Sequence, residues 1–232
     1  RTRSTQAACI LKGIPVSIAT MVLGESGTGK TTSLRNLDPA HTLLIQSISK
    51  PLPFKSTGWK PASKANPNGS IFVSDQSRVI CDAMRRTTKD VIVIDDWQYI
   101  LANEFMRRSE EKGFDKFTDI GRHAWDILEA ANKLAHDKRV YILAHTQSDD
   151  SGRIKVKTIG KLLDEKITPE GMFTIVLRTA VINSQHLFST QNNGSDTVKS
   201  PMGMFDADHI DNDLAAVDAA IYGYYDLGQQ AA

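Results

Sequence analysis

Cysteine is scarce in this chain. Only Cys9 and Cys81 occur, and their spacing fits no metal-ligand pattern. Buried or free thiols in a reducing compartment are therefore expected. No apolar run approaches the length of a membrane span and no signal peptide is visible, so no membrane partner is expected. Aromatic residues make up only 7% of the chain, so the core must come mainly from aliphatic side chains. There is no acid between Pro39 and Ser74, and no Lys or Arg after Pro201. No nucleophile elbow accompanies the serines, which excludes Ser-His-Asp hydrolase chemistry. No internal repeat or second domain is apparent, and the 232 residues suit one α/β domain with a sizeable core.

Against these absences stands one dense motif. Gly24 to Thr32 read GESGTGKTT, which fits Gly, four residues, Gly-Lys-Thr. Such a loop turns backbone N–H groups inward to cradle phosphates. Gly24, Glu25, Ser26, Gly27, Thr28, Gly29, Lys30, Thr31 and Thr32 are the expected nucleotide-binding set. Lys30 is expected to reach the β- and γ-phosphates, and the Thr31 hydroxyl to ligate Mg²⁺. Gly27 and Gly29 let the backbone approach the anion, and the segment Thr31 to Asp38 reads as a helix that presents its N-terminus. The apolar run VSIATMVL before the motif has strand length, which completes the required strand, loop, helix setting. The expected cofactors are ATP and Mg²⁺.

The remaining pattern alternates apolar strands with helices. TLLIQS from Thr42, SIFVS from Ser70, VIVI from Val91 and VYILA from Val140 read as strands, the last two as fully buried parallel ones. Asp75 to Thr87, Asp96 to about Lys112 and Lys116 to His136 read as helices. Phe173 to Ile182 and Gln185 to Thr190 read as antiparallel strands, and Asn193-Gly194 as a turn before a short strand near Thr197. Leu214, Val217, Ile221 and Tyr224 mark a C-terminal helix with one apolar face. The acids in this region either dock on a basic neighbour, compete with DNA for a basic surface, or stay solvated. Lys50 to Gly69 is a long surface loop. Its Phe54 and Trp59 lie among lysines and either stack nucleic-acid bases or fold back as a satellite core.

An apolar strand ending in aspartate is the usual second half of a P-loop site. VIVIDD places Asp95 beside the Mg²⁺ shell. Asp96 either polarises the attacking water or caps the next helix. After VYILA come His145, Thr146 and Gln147, where a polar side chain can sense the γ-phosphate. Gln147 is the first candidate and Thr146 the second, with His145 read as structural.

In this order, the features resemble the RecA-type ATPase core across about residues 12–205, with an acidic helix and tail over about 206–232. SIFVSDQSRVICDAMRRTTKDVIVIDDW is similar to the segment leading to the Mg²⁺-binding aspartate, and VYILAHTQ to the strand ending in a γ-phosphate-sensing glutamine. TIGKLLDEKITPEGMFTIVLRTAV and SDTVKSP resemble the DNA-loop and closing-strand region. The compact size resembles phage-encoded RecA-like ATPases that assist single-strand annealing. The resemblance implies a mostly parallel twisted sheet flanked by helices, with C-terminal antiparallel strands. It implies catalytic roles for Lys30, Asp95, Asp96, Gln147 and Lys199, the last as a finger reaching a neighbouring subunit's ATP. It implies single-stranded DNA on Ser148 to Gly171, with Arg153, Lys155, Lys157 and Lys161 as phosphate partners. A homo-oligomeric ring or filament, a single-strand-binding or annealing partner protein and the host cytoplasm follow in the same way. One departure stands out. RecA-like cores carry a catalytic glutamate after the second strand, where LLIQSISKPL has no acid. Either Asp96 or Asp75 substitutes, or hydrolysis is slow. The rival readings are a nucleotide-dependent adaptor with little turnover and a helicase-type motor or loader.

Overall fold

The computed structural model describes residues 16–159 and 166–227. Lys161 and Cys9 lie outside the described residues. An eight-stranded sheet runs through the molecule. Its strands are β1 (Ile18–Leu23), β2 (Thr42–Gln46), β3 (Ile71–Val73), β4 (Val91–Asp95), β5 (Arg139–Ala144), β8 (Ile175–Ile182), β9 (Gln185–Ser189) and β10 (His209–Asp211), in spatial order β10-β9-β8-β1-β5-β4-β2-β3. Every pairing from β3 to β8 is parallel, and β8-β9-β10 are antiparallel. This is a mixed α/β fold with a mostly parallel sheet, as the alternation of strands and helices implies.

The central strands read as unbroken apolar runs because both of their faces are covered. Met21, Leu23, Ile45, Ile92, Ile94, Val140 and Ile142 point to one face and pack against α1 (Ser77–Arg86), α2 (Gln98–Arg107) and α3 (Asp115–Ala131). Their neighbours Val22, Leu44, Val93, Tyr141 and Leu143 point to the other face. That face is covered by Leu34, Leu37, Trp59 and by α4 (Leu214–Tyr224), through Leu214, Val217 and Ile221. Each fully buried aliphatic side chain contributes about 1.5–3 kcal/mol, so three on α4 are enough to dock it. Its entry is fixed by Asp213, whose side chain accepts a hydrogen bond from Ala215 N.

Several expectations need correction. Thr31–Asn36 is a six-residue 3₁₀ turn rather than the expected helix, too short to supply much dipole. Of the two readings of Phe54 and Trp59, the structure has the folded-back one: Trp59 is buried, and partly buried Phe54 packs edge-on to it at 6.2 Å. Thr197 lies in no strand, and the nearby contact is a single antiparallel bridge between Val176 and Lys199. The region expected as helix and tail also contributes the edge strand β10. The segment after β5 forms a small hairpin, β6 (Thr146–Ser148) and β7 (Ile154–Val156). No helix among the described residues is long and apolar enough to cross a membrane.

Candidate nucleotide site

Parallel sheets bring their strand ends, and the loops after them, to one edge. The P-loop leaves β1 there, and Gly24 N donates to Ala144 O at the end of β5. Close packing explains two of its glycines. A Cβ on Gly24 would lie 1.8 Å from Thr179 Oγ1, and Gly29 has φ +101°. The loop is braced from the β8–β10 side. The Thr28 and Thr179 hydroxyls are 2.6 Å apart, and His186 Nδ1 lies 3.1 Å from Thr28 O. Asn212 packs behind Gly29, and Arg35 Nη1 donates to its carbonyl.

Lys30 is buried and donates to Gly24 O and Glu25 O, each at 2.9 Å. Burial lowers its ammonium to about 8, although Asp96 and Asp95 pull the other way. Thr31 Oγ1 donates to the two Asp95 oxygens at 3.0 and 3.2 Å. Asp95 is almost fully buried, and burial together with the neighbouring Asp96 raises its pKa. A hydroxyl and a carboxylate oxygen at this spacing are hard donors, and they fit Mg²⁺ held between protein and phosphates. Among the described residues, no cluster of three or more His, Cys, Asp or Glu side chains forms an all-protein metal cage.

Asp96 follows with φ 59°, uncommon for a non-glycine residue and concentrated at functional sites. Its carboxylate does not cap α2. It contacts Lys50 Nζ through Oδ2 and lies 3.3 Å from His145 Nε2 through Oδ1. Burial opposes ionisation there, but the His145 and Lys50 contacts outweigh it and hold Asp96 at about 2. Ser47 Oγ donates to the carbonyls of Asp95 and Asp96 at 3.0 and 2.9 Å and fixes both backbones. Asp75 sits beyond the edge strand β3, where it accepts from Asn103 and Arg107 of α2.

The other expected residues are dispersed. Gln147 lies in β6 opposite Lys155, and His145, not Gln147, is the side chain against Asp96. Lys157 is exposed, and its N–H donates to His145 O at 2.7 Å, at the base of the hairpin. Arg153 near the hairpin turn donates to Asp196 O at 3.1 Å. Glu170, buried, accepts from Val156 N at 2.7 Å and holds β7 in place. Lys199 is tied by backbone bonds to Val176, whose register partner on β1 is Met21. Motif reading missed Lys50, Thr179, His186 and Asn212, because they come from separate strands and loops. Only Lys50 carried a signal, being the cation in a stretch where the resemblance calls for an acid.

Together the parallel sheet, the glycine-rich loop after β1 and the aspartate that ends β4 make a mixed α/β fold with its candidate site at the strand ends. Among solved structures the chain is similar to flagellar accessory protein FlaH from Methanocaldococcus jannaschii, with 14% identity and a TM-score of 0.39, over 76% of this chain and 79% of that one. No protein-family model and no curated protein matches the chain.

Proposed function

We propose that the chain is a RecA-like P-loop ATPase that binds ATP with Mg²⁺ and acts on single-stranded DNA, in phage-type recombination or annealing. One observation carries the nucleotide reading: Thr31 of the P-loop hydrogen-bonds Asp95 at the end of β4, next to the buried Lys30. Lys30 neutralises the β- and γ-phosphates, and the loop N–H groups hold their oxygens. Thr31 and Asp95 would hold Mg²⁺, which when bound stabilises charge on the phosphates. Asp96, held acidic by Lys50 and His145, is a weak proton acceptor and serves to orient the attacking water. The DNA reading is supported by the β6–β7 hairpin, which begins directly after His145 and carries Arg153, Lys155 and Lys157 on or beside it.

The rival is an adaptor with little turnover, favoured by the absence of any acid after β2. Binding and hydrolysis of ATP, measured with and without Mg²⁺ and single-stranded DNA, separate the two. The ATPase reading expects Mg²⁺-dependent turnover, stimulated by DNA and lost in Lys30→Ala. Tight binding without turnover supports the adaptor. Equal ATP affinity in wild type and Lys30→Ala overturns the nucleotide site itself.

A further inference from the structure

The loop after β2 brings a lysine onto the acidic pair. Lys50 Nζ lies 3.5 Å from Asp95 Oδ2 and contacts Asp96 Oδ2 directly. Asp95 is in turn 3.0 Å from Thr31 Oγ1, so two consecutive contacts link Lys50 to the P-loop through Asp95. The backbone here is fixed. Gln46 Nε2 donates to Lys50 O at 3.2 Å, and Ser47 ties the end of β2 to the end of β4. The Lys50 side chain is 38% exposed while Asp95 is 1% exposed, so the ammonium enters the site from the solvent side. An incidental surface lysine gains little from such pairing, because holding a long side chain in one geometry costs entropy. Here two adjacent carboxylates require a cation, and their attraction raises the Lys50 pKa against the burial that would lower it.

Lys50 contacts this cluster directly, and Lys30, held on Gly24 O and Glu25 O, feels the charges of both aspartates. Lys50 is close enough to Lys30 to count among the charges that lower its pKa. Two ammonium groups around one strand-end site suit a polyanion better than a single phosphate. The P-loop cradles the inner phosphates, and the metal-binding acid marks the outer end. Lys50 contacts Asp96 and lies 3.5 Å from Asp95, the acid expected to hold the metal. A divalent cation on Thr31 and Asp95 would neutralise the acid and leave Lys50 to a new partner.

We propose that Lys50 is a phosphate-contacting residue that passes from the Asp95–Asp96 pair to the terminal phosphate of the bound nucleoside triphosphate, making the site prefer a triphosphate to a diphosphate. This rests on the nucleotide-binding reading above. The contact is made within one chain, unlike the finger in trans assigned to Lys199.

Calorimetric titration with ADP and with a non-hydrolysable ATP analogue, both with Mg²⁺, tests the assignment on wild type, Lys50→Met, Lys50→Arg and Lys30→Ala. A charge-assisted bond to phosphate predicts that Lys50→Met weakens the analogue about ten- to a hundredfold. ADP affinity should stay within about threefold, and Lys50→Arg should restore most of the loss. Equal weakening of both nucleotides, or no weakening of the analogue, overturns the inference and leaves Lys50 a neutraliser of the carboxylates. Thermal melts verify folding, and Lys50→Gln replaces Lys50→Met should the latter not fold. Failure of the wild type to bind either nucleotide is a different result: it sinks the P-loop reading, and this inference with it.

Discussion

Asp95 and Asp96 are neighbours in sequence with opposite environments. Asp95 is buried against Thr31, and its pKa is raised, whereas Asp96 is held at about 2 by His145 and Lys50 despite its burial. Environments that push two carboxylates apart assign them different tasks. Asp95→Asn keeps the shape and removes the charge, so Mg²⁺-dependent turnover should fall far more than the melting temperature. Asp96→Asn should bind ATP normally and hydrolyse it about a hundredfold more slowly, the loss expected for a group that positions the reacting water. Asp75→Asn should keep normal turnover, because its carboxylate is committed to Asn103 and Arg107 at the far edge of the sheet. Single-turnover assays read all three, and slow hydrolysis in Asp75→Asn alone would move the water-positioning role there. The contiguous part of this site was legible in the sequence, since GESGTGKTT and VIVIDD each place their residues by adjacency. Lys50 and His145 were not, because their roles exist only once β2, β4 and β5 lie side by side.

Among the elements, α4 shows how a strand and a helix distant in sequence are fastened. Asp218 accepts from Arg139 Nε at 2.7 Å and from Tyr141 Oη at 2.6 Å, both on β5. Burial first, and then Asp218, raise the Tyr141 phenol well above its ordinary value near 10, and Asp218 also raises the Arg139 guanidinium against its burial. The sign of the linkage follows. The folded chain keeps the Tyr141 proton where the unfolded chain releases it, so this contribution is whole below pH 10 and fades as pH rises above it. Urea midpoints at pH 9 and 11 should therefore drop more steeply in wild type than in Tyr141→Phe; equal slopes would show that Tyr141 is not the group responsible. Asp218→Ala should cost about 2–4 kcal/mol, since it leaves a buried guanidinium without its carboxylate and a buried hydroxyl without its acceptor. The long elements were readable in advance because VIVI and VYILA are uniform apolar runs and α3 carries an apolar stripe. The three-residue strands TQS, IKV and HID were not, since so short a run shows no period. The 3₁₀ turn after the P-loop was misread as a helix for the same reason.

At the scale of the whole molecule, the β6–β7 hairpin follows β5 at the strand-end edge and is tied to Ser195, Asp196 and Glu170, while Thr179 and His186 of β8 and β9 brace the P-loop. The hairpin tests the DNA reading. Neutralising Arg153, Lys155 and Lys157 together should weaken single-strand binding and flatten its salt dependence by up to about two units of log–log slope, because fewer counterions are displaced. ATP binding should survive, since none of the three belongs to the P-loop. Assembly poses the harder question. Lys199 is bound through its backbone to Val176, whereas the lysine paired with Asp95 and Asp96 is Lys50, so the expected role of Lys199 as a finger is tested between subunits. A finger in trans predicts that Lys199→Ala alone binds ATP normally but loses DNA-stimulated turnover. It also predicts complementation. When Lys199→Ala subunits are mixed with Asp95→Asn subunits, some interfaces pair an intact Asp95 site with an intact Lys199 from the neighbour, and partial activity should return. The mixture must first be shown to contain both subunits in one particle, for example by differential tagging and co-purification. Recovery in proportion to such interfaces supports an oligomer that completes its sites between subunits. No recovery in verified mixed particles would confine Lys199 to a structural role at β8 and leave each subunit to hydrolyse with its own residues.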